Sequence, residues 1–199
     1  MRHLVVVMCD GVINRRCYAA GTALQQNPQF LPGALDGLRL LAREGFHVVA
    51  ISNATPSPAN RQESTCRKRL RQQWLLDIAL CGGRIERFYR CPQLANESEE
   101  NRLRVKSDLL SRILAASRTP PEDVYMVSDT AEDLAIAARL GCDGFLLRRE
   151  AFLCDQVPPA AAPEIACNLR DAAERMVTRR CNPFLRALQS LAPSVARGR

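Results

Sequence analysis

The chain has 199 residues, a formal net charge of +7, 9 Cys and 2 His. This length predicts one domain with a sizeable core, and a content of 47% hydrophobic and 25% charged residues excludes a disordered chain. No apolar run approaches the roughly 20 residues that a membrane span needs. No secretory signal opens the chain, so we expect a cytoplasmic protein without a membrane partner.

The cysteines are odd in number, and no two of them have Cys-x-x-Cys spacing. Without an export signal, this pattern favours small buried residues over a disulfide framework or a zinc site. Of the 28 basic residues only Lys68 and Lys106 are lysines, so the positive charge is almost entirely arginine. Arginine recognises phosphate and carboxylate groups well, but the charge permits a polyanionic partner without establishing one.

Strands and helices alternate in the predicted order of elements. Apolar runs predict buried strands at 3–8, 47–52, 123–128 and 144–147, with a shorter strand at 85–89. Helical spacing predicts helices that begin near Leu31-Pro32-Gly33 and at about 60–80, 105–116, 130–140, 164–177 and 182–191. Cys91–Asn101 is expected to be an acidic loop. The order predicts an α/β fold with a central parallel sheet, formed by a core at 1–150 and followed by a helical C-terminal extension at 151–199.

Polar residues follow three of the predicted strands. Asp10 follows the first, Ser52 and Asn53 end the second, and Ser128 and Asp129 end the strand at 123–128. The carboxyl ends of parallel strands share one edge of a sheet, where ligands bind in such folds. The alternative is structural, since Asp, Asn and Ser are also common turn formers.

The segment 6–14, Val-Val-Met-Cys-Asp-Gly-Val-Ile-Asn, resembles the first motif of the haloacid dehalogenase (HAD) superfamily phosphatases. It is most similar to the branch that contains heptose-bisphosphate and histidinol phosphatases. Other motifs of this branch follow in order at 30–33, 52–53, 88–92, 104–106 and 128–133. The resemblance implies a Rossmann-like three-layer fold with a minimal cap.

The resemblance also implies roles for individual residues. Asp10 occupies the position of the general acid/base, and Met8 occupies the position where the family has its Asp nucleophile. The phosphate-binding positions are Ser52, Asn53, Arg104 and Lys106, and the Mg²⁺ positions are Asp10, Asp129 and Asp133. For Asp10 and Asp129 the structural alternatives are to order the loop after the first strand and to cap the next helix, respectively.

Met8 is the most important departure from the family pattern. A thioether is not a nucleophile for phosphorus, and Mg²⁺ prefers hard oxygen ligands. Of the four zinc ligands of the branch only Cys91 remains, because the other positions hold Gln93, Glu100 and Arg102. We therefore expect no zinc and no cofactor, or Mg²⁺ if the site is retained.

Three hypotheses follow. The favoured one is a catalytically inactive, phosphatase-like protein that acts as a binding or scaffold subunit for protein partners. The second is a Mg²⁺-dependent phosphatase of altered mechanism, in which Asp10 activates water to attack a small phosphate ester such as a sugar phosphate. The third is a basic subunit that binds nucleic acid or a ribonucleoprotein through Arg61, Arg67, Lys68, Arg69 and Arg71, aided by Arg170, Arg175, Arg179, Arg180 and Arg186. For these residues the simpler reading is a solvated helix face.

Overall fold

The computed structural model describes residues 3–14, 29–54, 61–92, 98–148 and 164–181. Its strands are β1 (Leu4–Met8), β2 (His47–Ala54), β3 (Arg87–Pro92), β4 (Val124–Ser128), β5 (Asp143–Leu147) and β6 (Glu164–Ala166). Its helices are α1 (Ala34–Arg43), α2 (Arg61–Leu80), α3 (Glu99–Ser117), α4 (Ala131–Arg139) and α5 (Leu169–Cys181). The strands form one sheet in the order β3-β2-β1-β4-β5-β6.

Every neighbouring pair of strands in this sheet is parallel. All five residues of β1 are buried, as expected for a central strand that is covered on both faces. The chain leaves β1 toward β2 through α1 and leaves β4 toward β5 through α4, in opposite directions along the sheet. Right-handed crossovers therefore place α1 and α4 on opposite faces, α1 together with α5 and α4 together with α3. The predicted α/β fold with a central parallel sheet is confirmed.

Aromatic side chains fasten α2 to the β3 side of the sheet. Trp74 is 8% exposed and stacks on Phe30 with the ring centroids 5.6 Å apart. Its other neighbour is Phe88 of β3, at 6.2 Å. The spacing of Leu70, Trp74 and Ile78 had predicted a helix here, and both Trp74 and Ile78 are buried in the core.

The C-terminal region differs from the sequence prediction. Residues 164–166 form the edge strand β6, where a helix was predicted from residue 164, because they pair with β5 in the register Leu147↔Ala166. The helix begins only at Leu169, where the side chain of Asn168 accepts a hydrogen bond from the Asp171 amide at 3.0 Å. The described part of the predicted extension thus belongs to the sheet. Residues 149–163 and 182–199, with the helix predicted at 182–191, lie outside the described residues.

Helix α3 begins earlier than predicted. Its N-cap is Ser98, whose hydroxyl accepts a hydrogen bond from the Asn101 amide at 3.3 Å. Glu99 and Glu100 lie in the first turn, where their charge favours the helix dipole. The end of the acidic stretch predicted as a loop is therefore helical. The segments 15–28 and 93–97 lie outside the described residues, so the minimal cap stays a prediction.

Two arginines tie the end of α5 to the rest of the molecule. Arg179 lies over the Phe145 ring at 5.2 Å and pairs with Glu164 of β6. Arg180 lies over the Phe46 ring at 4.7 Å, and it pairs with Glu44, just after α1, at 3.0 Å. Cation–π contacts combined with ion pairs hold α5 against both α1 and the sheet. Among the described helices, none combines the length and hydrophobicity needed to cross a membrane.

The close packing of α1 on α5 predicts an unusual response to a helix-favouring substitution. A Cβ atom on Gly37 would lie 2.7 Å from the backbone carbonyl carbon of Leu169. We expect Gly37→Ala to lower the free energy of unfolding by about 1–3 kcal/mol through overpacking, although Ala favours a helix over Gly by about 1 kcal/mol.

Urea denaturation measures this change. The control is Arg43→Ala at an exposed position of α1, which should stay within about 0.5 kcal/mol of the parent. If Gly37→Ala were as stable as the parent, α5 would not pack this closely on α1.

Candidate active site at the carboxyl ends of the strands

A tight turn follows β1 and sets the position of Asp10. The Cys9 carbonyl accepts hydrogen bonds from the amides of Ile13 and Asn14, both at 3.0 Å. The Gly11 amide donates to the Asn14 carbonyl at 2.8 Å, and Gly11 has a φ of 84°, which a residue with a side chain rarely adopts. The Asn14 side-chain amide lies 3.5 Å from Asp10 Oδ1, at the limit of a hydrogen bond. These contacts support the expectation that Asp10 orders this turn.

The strand register brings the three predicted polar ends to one level. Met8 pairs with Ile51, and Val7 pairs with Val127. Ser52 and Ser128 therefore lie one position further along the neighbouring strands, on either side of Met8. Ser52 is partly buried and Ser128 is fully buried. The convergence at the carboxyl edge that the sequence predicts is present in the fold.

The side chain of Met8 fills an apolar slot. Met8 is 2% exposed, and about 10 Å³ of space remains in the slot, close to the minimum for one water molecule. Carbon-rich side chains from the sheet, α3 and α4 surround it: Ile51, Leu109, Leu110, Met126 and Ile136. Lys106 and Asp133 complete the lining. The position of the family nucleophile is thus packed as part of the hydrophobic core.

A polar network borders this slot. Lys106 of α3 donates to Asp133 Oδ1 at 2.5 Å, with 13% and 3% of the two side chains exposed. The Ser128 hydroxyl donates to the other carboxylate oxygen, Asp133 Oδ2, at 2.8 Å. The Thr130 amide in turn donates to Ser128 Oγ at 3.2 Å. Each oxygen of the buried Asp133 carboxylate has a partner, and the network fixes the turn between β4 and α4.

Asp129 lies in that fixed turn and faces the turn after β1. A Cβ atom built on Gly11 would lie 1.9 Å from Asp129 Oδ2, so the carboxylate occupies the space that only a glycine leaves open. The N-cap of α4 is Thr130 and not Asp129, so the alternative of Asp129 as helix cap is wrong. The packing against Gly11 explains why, since it directs this carboxylate toward Asp10's turn.

The structure does not bring every predicted phosphate-binding residue to this site. Arg104 is exposed, and its guanidinium donates to Asn101 on the same helix at 2.9 Å. Lys106 is in the site but already pairs with Asp133. The backbone of Asn53 pairs with Cys91 in the sheet, while its side chain lies outside the described part of the structure.

The predicted basic partner surface is only partly described. The side chains of Arg61, Arg67 and Lys68 lie outside the description, and Arg69 and Arg71 are exposed. The arginines of α5 are engaged with carboxylates, at Arg170–Glu174, Arg175–Asp171, Arg179–Glu164 and Arg180–Glu44. These pairs leave α5 with less free positive charge than its sequence indicates. Arg186 falls outside the described residues.

The donor set does not fit a Mg²⁺ ion. Asp133 is committed to Lys106 and Ser128, and Met8 offers only a buried sulfur where a carboxylate would be needed. Asp10 and Asp129 remain as oxygen donors. Within the described ranges, no group of three or more His, Cys, Asp or Glu side chains is arranged to hold a metal ion. Mg²⁺ prefers six oxygen ligands in near-octahedral geometry, which this set approaches poorly.

Two cysteines of the predicted motifs are buried. Burial, aided by the charge of neighbouring Asp10, raises the pKa of the Cys9 thiol far above its usual range. Cys91 is 1% exposed at the end of β3. A raised pKa keeps Cys9 protonated at neutral pH, so it is not a nucleophile that could replace the missing Asp.

Sequence reasoning missed the role of Ser128. It noted Ser128 only as a departure from the glycine usual at this position. In the structure the hydroxyl connects Asp133 to the turn that carries Asp129. The signal was available, because a serine five residues before a buried Asp can reach it across the start of a helix.

Comparisons with known proteins agree with this architecture. A family model described as HAD-hydrolase-like matches residues 106–172. No curated protein sequence matches the chain. Among solved structures, D,D-heptose 1,7-bisphosphate phosphatase from B. bronchiseptica, complexed with magnesium and phosphate, is similar with a TM-score of 0.67 and 19% identity, over 90% of this chain and 99% of that chain.

Two further solved structures are similar. D,D-heptose 1,7-bisphosphate phosphatase from Burkholderia thailandensis has a TM-score of 0.58 and 21% identity, over 89% of this chain and 99% of that one. The cobalt-bound deoxy-D-mannose-octulosonate 8-phosphate phosphatase from Haemophilus influenzae has a TM-score of 0.55 and 16% identity, over 90% of each chain. At these identities the likeness is one of fold.

The buried ion pair predicts a strong energetic coupling. Lys106→Met leaves the Asp133 charge buried without its cation, and Asp133→Asn leaves Lys106 without its anion. We expect each variant to lose about 3 kcal/mol of unfolding free energy. The double variant removes both charges and should lose less than the sum, with a coupling of about 1–3 kcal/mol. Urea denaturation of the four proteins tests this, and additive losses would contradict the pairing.

The raised pKa of Cys9 predicts slow alkylation. At pH 8 the native protein should react with iodoacetamide at the exposed Cys81, Cys167 and Cys181, whereas Cys9 stays a thiol. Burial also raises the pKa of Cys142 to about 11, so this thiol should react slowly too. Mass spectrometry of tryptic peptides gives the rates, with urea-unfolded protein as the control. Equal rates for Cys9 and Cys81 in the native protein would contradict the burial.

Proposed function

We propose that this chain, a member of the haloacid dehalogenase superfamily as its motifs predicted, is a phosphatase-like protein without phosphatase turnover that acts as a binding or scaffold subunit. The observation that carries the proposal is the burial of Met8 in an apolar slot at the nucleophile position. Phosphoryl transfer through a covalent intermediate requires a nucleophile at that place. A methionine sulfur packed against leucine and isoleucine side chains supplies none.

The charge balance around Met8 supports the same conclusion. In a site that binds a phosphoryl group, a cation has to be available to the anion. Lys106 is the buried cation of this site, and its ammonium is neutralised by Asp133 at 2.5 Å. A phosphate would have to compete with an anion that is fixed by two hydrogen bonds. The site is therefore stable without a ligand.

The alternative is a phosphatase of altered mechanism that acts on a small phosphate ester. The observation that favours it is the approach of Asp129 to the turn that carries Asp10, which leaves two carboxylates near each other. In that case Asp10 would act as the base for an attacking water. Magnesium dependence would then be expected, although the described donors suit this ion poorly.

The cytoplasm is the proposed compartment. The described cysteines are free thiols, three of them exposed at Cys81, Cys167 and Cys181. Free exposed thiols persist in a reducing compartment and tend to oxidise outside it. This argument supports the location that the composition predicted.

Hydrolysis of p-nitrophenyl phosphate in the presence of Mg²⁺ tests the proposal. We expect the parent protein to release p-nitrophenol no faster than the Asp129→Ala variant, since no nucleophile is present. Turnover by the parent that Asp129→Ala abolishes would contradict the proposal and favour the altered phosphatase.

A pair of substitutions at Met8 identifies the cause of inactivity. Met8→Asp places a carboxylate beside Lys106 and should produce Mg²⁺-dependent hydrolysis, because loss of a covalent nucleophile removes most of the rate, about 10⁶-fold in one well-studied triad. Met8→Leu keeps the slot apolar and should remain inactive. Circular dichroism has to show that both variants are folded. If folded Met8→Asp is also inactive, the loss of the nucleophile is not sufficient to explain the absence of turnover.

A further inference from the structure

The two outer strands of the sheet differ in how their free edges are treated. β3 and β6 lie at opposite ends of the strand order, each paired on one side only. A strand at the edge of a sheet presents unpaired backbone groups that can bind another extended chain. Proteins usually protect such edges, so an unprotected one indicates a surface for a partner.

The edge of β6 is protected. The Arg148 amide donates to the Ala166 carbonyl, which therefore faces β5. Backbone groups alternate along a strand, so Ile165 faces outward. Its carbonyl accepts a hydrogen bond from the Arg175 guanidinium at 3.0 Å. With only three residues and its outward carbonyl occupied, β6 offers little to a further strand.

The hydrogen bonds of β2 show which residues of β3 face outward. The His47 amide donates to the His3 carbonyl, and the Ile51 carbonyl accepts from Cys9, so the odd-numbered residues of β2 face β1. The even-numbered residues of β2 therefore face β3. In a parallel pair a bonded residue joins the two neighbours of its partner, and Ala50 is level with Phe88.

Phe88 and Arg90 consequently direct their amide and carbonyl groups away from β2. Neither residue has a hydrogen-bond partner on that side within the part of the chain that the structure describes. Pro92 follows at the next outward position, where a proline fits because its missing amide would not have served the sheet. The outer edge of β3 thus presents four free backbone groups in one row.

Unpaired positive charge flanks this row. Arg87 and Arg90 are both exposed, and they lie on opposite faces of the sheet because side chains alternate along a strand. Neither has an ion-pair partner among the described residues. The nearby carboxylate of Glu86 is occupied by Arg84 at 2.5 Å and His47 at 2.6 Å, and these contacts lower the pKa of Glu86 despite its partial burial.

We propose that the outer edge of β3 binds an acidic, extended segment of a partner protein, which adds a seventh strand to the sheet. The backbone groups of Phe88 and Arg90 supply the hydrogen bonds, and Arg87 and Arg90 select glutamate or aspartate on the two faces of the added strand. A second copy of this chain suits the edge less well. It would bring the same two unpaired arginines to the interface and a net charge of +7 to each side.

This surface is separate from Met8 and its slot. The inference holds whether or not the strand-end site turns over, so a failure here leaves the proposed function unaffected, and the reverse is also true. It does give the proposed binding role a location and a class of partner.

A labelled synthetic decapeptide of alternating glutamate and valine is the probe, and fluorescence anisotropy measures its binding to the full chain. We expect Arg87→Glu combined with Arg90→Glu to weaken binding by about tenfold or more, which corresponds to about 1.4 kcal/mol. The matched control combines Arg112→Glu with Arg139→Glu. It changes the net charge by the same amount at exposed positions on α3 and α4, and it should bind as the parent does.

Hydrogen exchange identifies the mode of binding. Peptide binding should slow the exchange of the Phe88 and Arg90 amides, because they become hydrogen bonded in the extended sheet. A peptide with lysine in place of glutamate should prefer the Arg87→Glu/Arg90→Glu variant over the parent.

Three results would overturn the proposal. Equal weakening by both double variants would show general charge attraction, and unchanged exchange of Phe88 and Arg90 would place the peptide elsewhere. Light scattering that finds the parent dimeric, and the Arg87→Glu/Arg90→Glu variant monomeric, would assign the edge to a second copy of the chain.

Discussion

The buried ion pair between Lys106 and Asp133 holds together the part of the molecule on which the site depends. It joins α3 to the start of α4 at 2.5 Å, and through Ser128 it fixes the turn after β4. A buried charge is tolerated only when its partner and its remaining hydrogen bonds are in place. Asp133 meets this condition with both oxygens engaged. The pair therefore determines where Asp129 lies and how the slot around Met8 closes.

The same pair makes sense of Met8. An aspartate at this position would add a second carboxylate beside Lys106 and Asp133, and a third charge in a nearly dry slot would need a further cation. Methionine removes that need, because its flexible and polarisable side chain fills irregular apolar space. With Met8 in place, the charges of Lys106 and Asp133 balance each other without metal or phosphate. The substitution at the nucleophile position and the internal ion pair thus form one consistent, ligand-independent arrangement.

The fold was predictable from the sequence where local pattern and tertiary packing agree. β1 and β4 are continuous apolar runs that become fully buried strands, and the stripe of Trp74 and Ile78 becomes the buried side of α2. The prediction failed where a side chain or a neighbouring strand determined the structure. Ser98 starts α3 early through a cap, and Glu164–Ala166 is a strand because β5 lies beside it. Such long-range pairing leaves little trace in a three-residue segment.

The candidate site shows the same division. The chain order of polar strand ends predicted that Asp10, Ser52 and Asp129 converge, since parallel strands end at one edge. Motif spacing could not tell that Arg104 points along α3 to Asn101 while Lys106, two residues later, enters the site. On a helix this separation of about 200° decides between solvent and core. A motif aligned by residue type alone therefore overstates the positive charge available to a phosphate. It also misses that the free arginine charge of this chain lies partly along β3, where backbone groups rather than a catalytic centre face outward.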